Sequence, residues 1–222
     1  MDGRTPKIVV LISGNGSNLQ AINDAICSES FEAEIAVVIS NKSNILGLDK
    51  AAKANIPTAV IEHKDYPERE IFDANLMKEI DKHQPDLIVL AGFMRILTSD
   101  FVRRYEGRII NIHPSLLPKY PGLNTHQRAI DAGDAFHGVT VHFVTAELDS
   151  GPNIIQAKVK TFENDTVDSL VKRIQEQEHI IYPIAVKWFI EGRLQMSGNS
   201  ALLDKEALPE TGLVLEAAKV LH

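Results

Sequence analysis

The stretch KIVVLISGNGSNLQAI, residues 7–22, decides which fold the chain can adopt. Its first six residues, 7–12, are a continuous run rich in β-branched side chains, which is typical of a strand buried on both faces. After the turn, apolar residues recur at helical spacing: Leu19, Ile22 and Ile26. Ser17 or Asn18 is expected to cap this helix. A strand, a glycine-rich turn and a helix in this order predict the opening unit of a parallel α/β sheet.

The same alternation of strands and helices continues to residue 90. Strands are predicted at 34–39, 58–61 and 86–90, with helices at 46–54 and 69–82. Strands separated by helices in this way run parallel and are covered on both faces of the sheet.

The second half of the chain has a different rhythm. Residues 139–144 alternate with period two, which favours an antiparallel or edge strand. The elements predicted here are strands at 108–112, 139–144 and 154–158, a helix at 126–132, and a long helix over 166–191 interrupted at Pro183.

These patterns predict an α/β fold with a Rossmann-like, mostly parallel twisted sheet. Helices cover both faces, and an antiparallel extension lies in the C-terminal half. No linker separates the halves, so residues 1–222 are expected to form one domain of two lobes, about 1–100 and about 101–195, with a peripheral tail at 196–222.

Composition and charge disfavour several classes of function. The net charge is −7 and the pI is near 5.6, which argues against a nucleic-acid partner because phosphate-backbone binders are usually basic. The single cysteine, Cys27, cannot form an internal disulfide and is expected to be a buried apolar residue. The apolar run after the polar start is too short for a signal peptide or a membrane span. We therefore expect a cytoplasmic protein with no membrane partner.

The turn SGNGSN, residues 13–18, favours an anion site. A turn between a strand and a helix directs backbone N–H groups and the positive end of the helix at one point, which suits a phosphate. A Walker A loop would need a lysine here, and a dinucleotide fingerprint would need glycine instead of Leu19 and an acid where Ser40 and Asn41 stand. A phosphate monoester fits better, with a plain tight turn as the alternative.

The tetrapeptide Asn111-Ile112-His113-Pro114 gives the sharpest chemical signal. Residues two apart in a strand share a face, so the Asn111 amide and the His113 imidazole are expected side by side. Pro114 ends the strand, which places both groups at the carboxyl edge where open α/β sheets bind ligands. An amide donor beside an imidazole suits an acyl-transfer oxyanion. The alternative is a capping asparagine and a histidine of the core.

Asp149 is a candidate third member, in the turn Leu148-Asp149-Ser150-Gly151-Pro152. Aspartate before Gly-Pro is often a turn former only. A carboxylate beside His113 would favour the imidazolium, an acid usable near neutrality. The histidines of this region show no short metal-ligand spacing, so no metal site is expected.

Five segments together carry a resemblance: KIVVLISGNGSNLQAI, DLIVLAGFMRIL, RIINIHPSLLPKYPGLNTH, HGVTVHFVTAELDSGP and QEQEHIIYP. Their order and spacing resemble the phosphoribosylglycinamide formyltransferase family from about residue 7 to 195. The resemblance implies the formyltransferase fold. It also implies formyl transfer from 10-formyltetrahydrofolate to the amine of 5'-phosphoribosylglycinamide, a reaction of purine synthesis. No motif position departs from the family pattern.

The resemblance also assigns roles to residues of this chain. Catalysis falls on Asn111, His113 and Asp149. The substrate phosphate falls on Gly16, Ser17 and Asn18, and the ribose hydroxyls on Glu178. The folate would lie against Arg69, Met94, Arg95, Ile96, Leu97, Asn111, Thr145, Ala146, Glu147, Leu148 and Asp149. The first lobe would thus bind phosphate and the second would bind folate and carry catalysis, in a monomer or weak homodimer without metal.

Several alternatives stay open at this point. Without the resemblance, residues 94–97 could be core, and Arg69 and Glu178 could be surface charges. Methionyl-tRNA formyltransferase and formyltetrahydrofolate hydrolase share the folate and the trio, but each is expected to carry a further domain. A noncatalytic nucleotide-binding module is a rival from another class, and an NAD oxidoreductase is disfavoured by Leu19, Ser40 and Asn41.

Overall fold

The structure, a computed structural model, describes residues 4–216. Residues 1–3 and 217–222, which belong to the predicted first lobe and C-terminal tail, lie outside the described residues. The helices are α1 (Ser17–Cys27), α2 (Leu46–Lys53), α3 (Arg69–His83), α4 (Ser99–Arg104), α5 (Thr125–Asp131) and α6 (Val167–Ile190), with a 3-10 turn at His63–Asp65.

The strands follow the predicted positions in the first two thirds of the chain. They are β1 (Lys7–Ile12), β2 (Glu34–Ser40), β3 (Thr58–Val60), β4 (Leu87–Leu90), β5 (Ile109–His113), β6 (Phe136–Phe143), β7 (Asn153–Lys160), β8 (Leu194–Ser197), β9 (Ser200–Leu203), β10 (Glu206–Ala207) and β11 (Leu213–Glu216).

Eight strands form one sheet in the order β11-β7-β6-β5-β4-β1-β2-β3. The pairs from β3 through β5 are parallel, β5–β6 and β6–β7 are antiparallel, and β11 pairs parallel to β7. The predicted mostly parallel sheet with an antiparallel extension is therefore confirmed. The strand order reverses between β1 and β4, and such a reversal opens a crevice at the carboxyl ends of the strands.

The pleat of β1 explains why helices cover both faces. Ile8, Val10 and Ile12 belong to a core that includes residues of α1 and α6. Val9 and Leu11 belong to a second core that includes residues of α3 and α4. All five side chains are completely buried, as the continuous apolar run predicted.

The beginning and end of α1 differ from the sequence-based expectation. The helix begins after Gly16, whose φ of 66° is left-handed, and no side chain caps it. The predicted cap by Ser17 or Asn18 is wrong, because both residues already belong to the first helical turn. The expected burial of Cys27 is also wrong, because this last residue of α1 is exposed and lies off the face formed by Leu19 and Ile22.

The long helix α6 is not interrupted at Pro183. It runs from Val167 to Ile190 through the proline, which is itself buried. Proline removes one helical N–H donor, so the prediction of a break rested on a real cost. Burial of neighbours such as Ile181 and Tyr182 against the sheet outweighs that cost. The sequence-based expectation also missed α4 and the strands after α6.

The strands after α6 form two structures. Strands β8, β9 and β10 make a small antiparallel sheet, and β11 joins the edge of the main sheet. Among residues 4–216, none of the helices combines the length and the apolar character needed to cross a bilayer.

Candidate active site

Four polar side chains meet where β5 and β6 face each other near the carboxyl end of β5. Asn111 and His113 both lie on β5, two residues apart as predicted. Asn111 is the register partner of His142 on β6. Asp149, from the turn after β6, completes the group.

His142 fixes the orientation of the Asn111 amide. The His142 Nδ1 lies 2.9 Å from the Phe143 carbonyl oxygen, which only accepts, so Nδ1 carries the proton. The Nε2 is then an acceptor, and the Asn111 Nδ2 donates to it at 3.2 Å. Complete burial lowers the pKa of His142 to about 4, so the ring is neutral near pH 7.

His113 has an acceptor at each ring nitrogen. Its Nε2–H donates to the Tyr120 carbonyl oxygen at 2.8 Å, and its Nδ1 lies 3.5 Å from Asp149 Oδ2. The His113 side chain is 7% exposed and the Asp149 side chain 8%, so water screens this contact poorly. The imidazole thus lies between a backbone carbonyl oxygen and a carboxylate, which together fix the orientation of the ring.

Asp149 is held in place from outside the histidine pair. Its Oδ2 accepts a hydrogen bond from the Gly122 backbone N–H at 2.8 Å, and its Oδ1 lies 3.8 Å from His142 Nε2. Its φ of 50° is left-handed, a conformation that aspartate tolerates better than most residues. The turn chemistry that made Asp149 look ordinary in the sequence therefore also aims its carboxylate at His113.

The structure thus brings Asn111, His113 and Asp149 together, and it adds His142. No sequence motif singled out His142 from the other histidines of this region. Its register against Asn111 depends on how β5 and β6 pair, which no local motif encodes. One feature of the sequence could have identified His142: it is a polar residue between the apolar residues Val141 and Phe143 at the end of a buried strand.

The glycine turn begins the second part of the site. The first turn of α1 contains Ser17 and Asn18, and the Gly16 carbonyl accepts from Gln20 N at 3.1 Å. The Asn18 Nδ2 donates to Glu178 Oε2 on α6 at 2.8 Å, and its buried Oδ1 has no hydrogen-bond partner within the described residues. Both side chains are buried, so Glu178 is not the surface charge that its sequence context allowed.

The Glu178 carboxyl is in an unusual environment. Burial raises its pKa, and the hydrogen bond from Asn18 opposes that rise without cancelling it. A buried carboxyl with one hydrogen-bond donor retains capacity to accept further hydrogen bonds. This capacity suits hydroxyl groups of a ligand.

Ser13 joins the glycine turn to the segment after β4. Its hydroxyl donates to Asn41 Oδ1 at 2.7 Å, at the end of β2. The Ser13 hydroxyl oxygen also accepts a hydrogen bond from the Met94 backbone N–H at 2.8 Å. The turn after β1 and residues 94–97 therefore share one anchor at the carboxyl edge of the sheet.

The residues expected to contact folate differ in accessibility. Met94 is 71% exposed and Ile96 is 55% exposed, whereas Leu97 is buried. The Arg95 guanidinium lies 4.4 Å above the Phe72 ring centroid, and Arg69 is exposed on α3. The alternative that residues 94–97 are core therefore holds for Leu97 only.

The loop before Asp149 is also accessible. Ala146, Glu147 and Leu148 are exposed, and Thr145 is half-buried with its hydroxyl on the Glu147 carbonyl oxygen. Within residues 4–216 no three His, Cys, Asp or Glu side chains are grouped so that they could hold a metal ion.

Fold and site together define a class: an α/β protein whose doubly wound sheet carries an Asn-His-Asp cluster at the end of β5 and a glycine turn after β1. Comparison with known proteins then gives the family. The family model described as formyl transferase matches residues 6–186, and the chain belongs to this family.

Individual relatives agree with this assignment. Phosphoribosylglycinamide formyltransferase of Escherichia coli (strain K12) is 53% identical over 92% of this chain and 97% of that protein. The trifunctional purine biosynthetic protein adenosine-3 of Chironomus tentans is 50% identical over 86% of this chain and 14% of its own length. The solved phosphoribosylglycinamide formyltransferase from Coxiella burnetii, in complex with CHES, is 51% identical with a TM-score of 0.91, covering 96% of this chain and 100% of that one. The predicted resemblance is confirmed.

Proposed function

We propose that this chain transfers a formyl group from 10-formyltetrahydrofolate to the amine of 5'-phosphoribosylglycinamide. The products are 5'-phosphoribosyl-N-formylglycinamide and tetrahydrofolate, within purine biosynthesis. The observation that carries the proposal is the Asp149–His113 contact of 3.5 Å beside Asn111, in a family of formyl transferases. The names of the relatives supply the substrate.

The phosphoribosyl half of the substrate is assigned to the glycine turn and α6. Gly16, Ser17 and Asn18 lie at the positive end of α1, which favours an anion. Glu178 stands 2.8 Å from Asn18 and would accept hydrogen bonds from the ribose hydroxyls. Asn18 thus connects the phosphate and ribose positions.

The folate is assigned to the accessible apolar surface beside the catalytic cluster. Met94, Ile96 and Leu148 expose apolar side chains that a flat aromatic ligand would cover. Exposed Arg69, which is on the neighbouring helix α3, carries a positive charge that suits an anionic folate tail. The remaining assigned contacts are Arg95, Leu97, Asn111, Thr145, Ala146, Glu147 and Asp149.

The chemistry is an acyl transfer in which atoms and protons balance. The neutral substrate amine attacks the formyl carbon, a carbon–nitrogen bond forms, and the carbonyl oxygen becomes an oxyanion. The Asn111 amide has two N–H donors; one is used by His142, and the other would donate to the oxyanion. The His113 imidazolium would stabilise the same charge.

Asp149 is assigned to the proton transfer of this step. Its carboxylate would orient the His113 ring and help to move a proton from the attacking nitrogen to folate N10, directly or through water. The bond from the formyl carbon to N10 then breaks. His142 contributes as a neutral acceptor that keeps the Asn111 amide turned towards the reaction.

The proposal extends to the setting of the enzyme. We propose a cytoplasmic location, supported by the single cysteine, and small-molecule substrates as the ligands. We predict that the protein is a monomer or a weak homodimer. We also predict that it binds neither nucleic acid nor membrane and needs no metal. The division of residues 1–222 into two lobes and a peripheral tail is likewise a prediction.

The test is a spectrophotometric assay with 10-formyl-dideazafolate, run with and without the ribonucleotide. The proposal expects turnover only when both are present. Turnover without the ribonucleotide would indicate a hydrolase. No turnover in either reaction would favour a noncatalytic nucleotide-binding module, for which AMP-like ligands would raise the melting temperature and substitutions in the cluster would have no effect.

A further inference from the structure

The glycine turn is pressed against a residue that no part of the assigned site includes. Gly47 is the second residue of α2 and is buried. A Cβ built on Gly16 would lie 2.7 Å from the Gly47 Cα, a distance at which backbone must move. The two backbones therefore touch because neither residue has a side chain.

Gly47 would collide with the same turn if it carried a side chain. A Cβ on Gly47 would lie 2.6 Å from Ile12 Cδ1, at the end of β1, and 2.8 Å from the Gly14 carbonyl oxygen. The Ile12 methyl group is the end of a flexible side chain and can turn away. The Gly14 oxygen is backbone, so relief of that contact requires the turn itself to shift.

Gly47 also makes a hydrogen bond to the turn. Its backbone N–H donates to the Gly14 carbonyl oxygen at 3.0 Å. A carbonyl oxygen that faced the phosphate would repel it. The hydrogen bond to Gly47 instead pairs the Gly14 carbonyl oxygen with the backbone of α2. The turn is thereby tied to two helices: it opens α1 and is clamped by the first turn of α2.

We propose that Gly47 is a positioning residue for the phosphate of the substrate: it holds residues 14–16 in the arrangement in which the start of α1 receives that phosphate. This inference rests on the proposed function. Gly47 touches no reacting atom, so its loss acts on binding of the ribonucleotide and spares the chemistry at Asn111 and His113.

The experiment compares G47A with the wild-type chain in steady-state formyl transfer. The KM for the ribonucleotide is expected to rise roughly ten- to a hundredfold, with the KM for the folate and kcat within about twofold of wild type. The second substrate is the ribosylglycinamide without its phosphate. The preference in kcat/KM for the phosphorylated over the dephosphorylated substrate is expected to fall by the same factor as the KM rises.

Two further variants separate positioning from damage to the fold. A52G weakens the same helix at an exposed position and should lower the melting temperature without changing the KM for the ribonucleotide. I12V/G47A removes the Ile12 methyl contact but keeps the Gly14 contact, so it should regain stability while the KM stays high. If G47A does not fold, I12V/G47A is measured by the same criteria.

The inference is overturned by a folded G47A with a ribonucleotide KM near that of wild type. It is equally overturned by an equal loss for both substrates, or by failure of both variants to fold, since each outcome makes Gly47 a residue of the fold alone. Failure of the proposed function is distinguishable because wild-type chain would then transfer no formyl group. Calorimetric binding of the ribonucleotide to wild type and G47A would still test Gly47.

Discussion

Asn111 and His142 face each other across β5 and β6, and the asparagine amide donates to the histidine Nε2 at 3.2 Å. The bond needs a neutral histidine, and burial supplies one by lowering the pKa of His142 to about 4. A histidine that never takes up a proton near neutrality is thus part of the site because it accepts a hydrogen bond.

Replacement of His142 tests this relationship. H142L leaves no acceptor for the Asn111 amide and is expected to lower kcat by about tenfold or more, since an unsatisfied buried donor costs about 1–3 kcal/mol. H142Q retains an acceptor oxygen and should lose less. Equal kcat values for H142L, H142Q and wild type would show that Asn111 needs no such partner.

The same histidine predicts how stability depends on pH. The pKa of His142 is about 4 in the folded chain against 6.5 for an unperturbed histidine, so the unfolded chain binds a proton first as pH falls. His137 behaves alike, because burial lowers its pKa to about 4. Each contribution is fully present above pH 6.5 and is lost as pH falls towards about 4.

Urea denaturation at stepped pH measures this dependence. The free energy of unfolding should fall with pH over that interval, and less steeply in H142Q and in H137Q than in wild type. Unchanged slopes in both variants would mean that neither ring stays neutral in the folded chain.

Glu178 should govern affinity for the ribonucleotide. E178A removes the buried acceptor beside Asn18 and is expected to raise the KM for the ribonucleotide by about tenfold, with a smaller change in kcat. E176Q alters an exposed carboxylate on the same helix and serves as the control. A KM in E178A equal to that of E176Q would remove Glu178 from the ribose site.

The exposed apolar pair Met94 and Ile96 should govern affinity for the folate. M94S/I96S is expected to raise the KM for the folate roughly tenfold or more, because an apolar side chain covered by a ligand contributes about 1.5–3 kcal/mol. Stability should change little, since both side chains are already exposed. The control is I180S on α6, where the isoleucine is about as exposed as Ile96. Similar folate KM values in the two variants would place the folate elsewhere.

Local patterns predicted most of the fold. The continuous apolar run of β1 predicted a strand covered on both faces, and β1 is one. The period-two alternation of β6 predicted an antiparallel strand, and β6 pairs in that way although both of its faces are buried from His137 to Phe143. The predicted interruption of α6 at Pro183 was wrong because the cost of a proline is local to the helix. The burial that offsets this cost comes from packing against the sheet, which the local sequence does not show. The predicted side-chain cap of α1 was wrong because the helix begins after the left-handed backbone conformation of Gly16, with no side chain capping it.

The candidate site was predicted in its strand-bound half and completed only by tertiary structure. Asn111 and His113 share a strand, so their neighbourhood follows from spacing. Asp149 reaches them across a turn, and His142 depends on the register of β5 against β6. Gly47 contacts the glycine turn although the two lie far apart in the sequence, and no local sequence pattern reveals that they are close in space.

The central claim is that His113 and Asp149 act together in formyl transfer, and kcat of single variants measures it most directly. H113A and D149A, purified and folded, are predicted to lower kcat by about 10² to 10⁴ while changing either KM far less. The matched controls are H83A and D131N on surface helices, which should retain wild-type kcat. A near-normal kcat in either H113A or D149A would contradict the account.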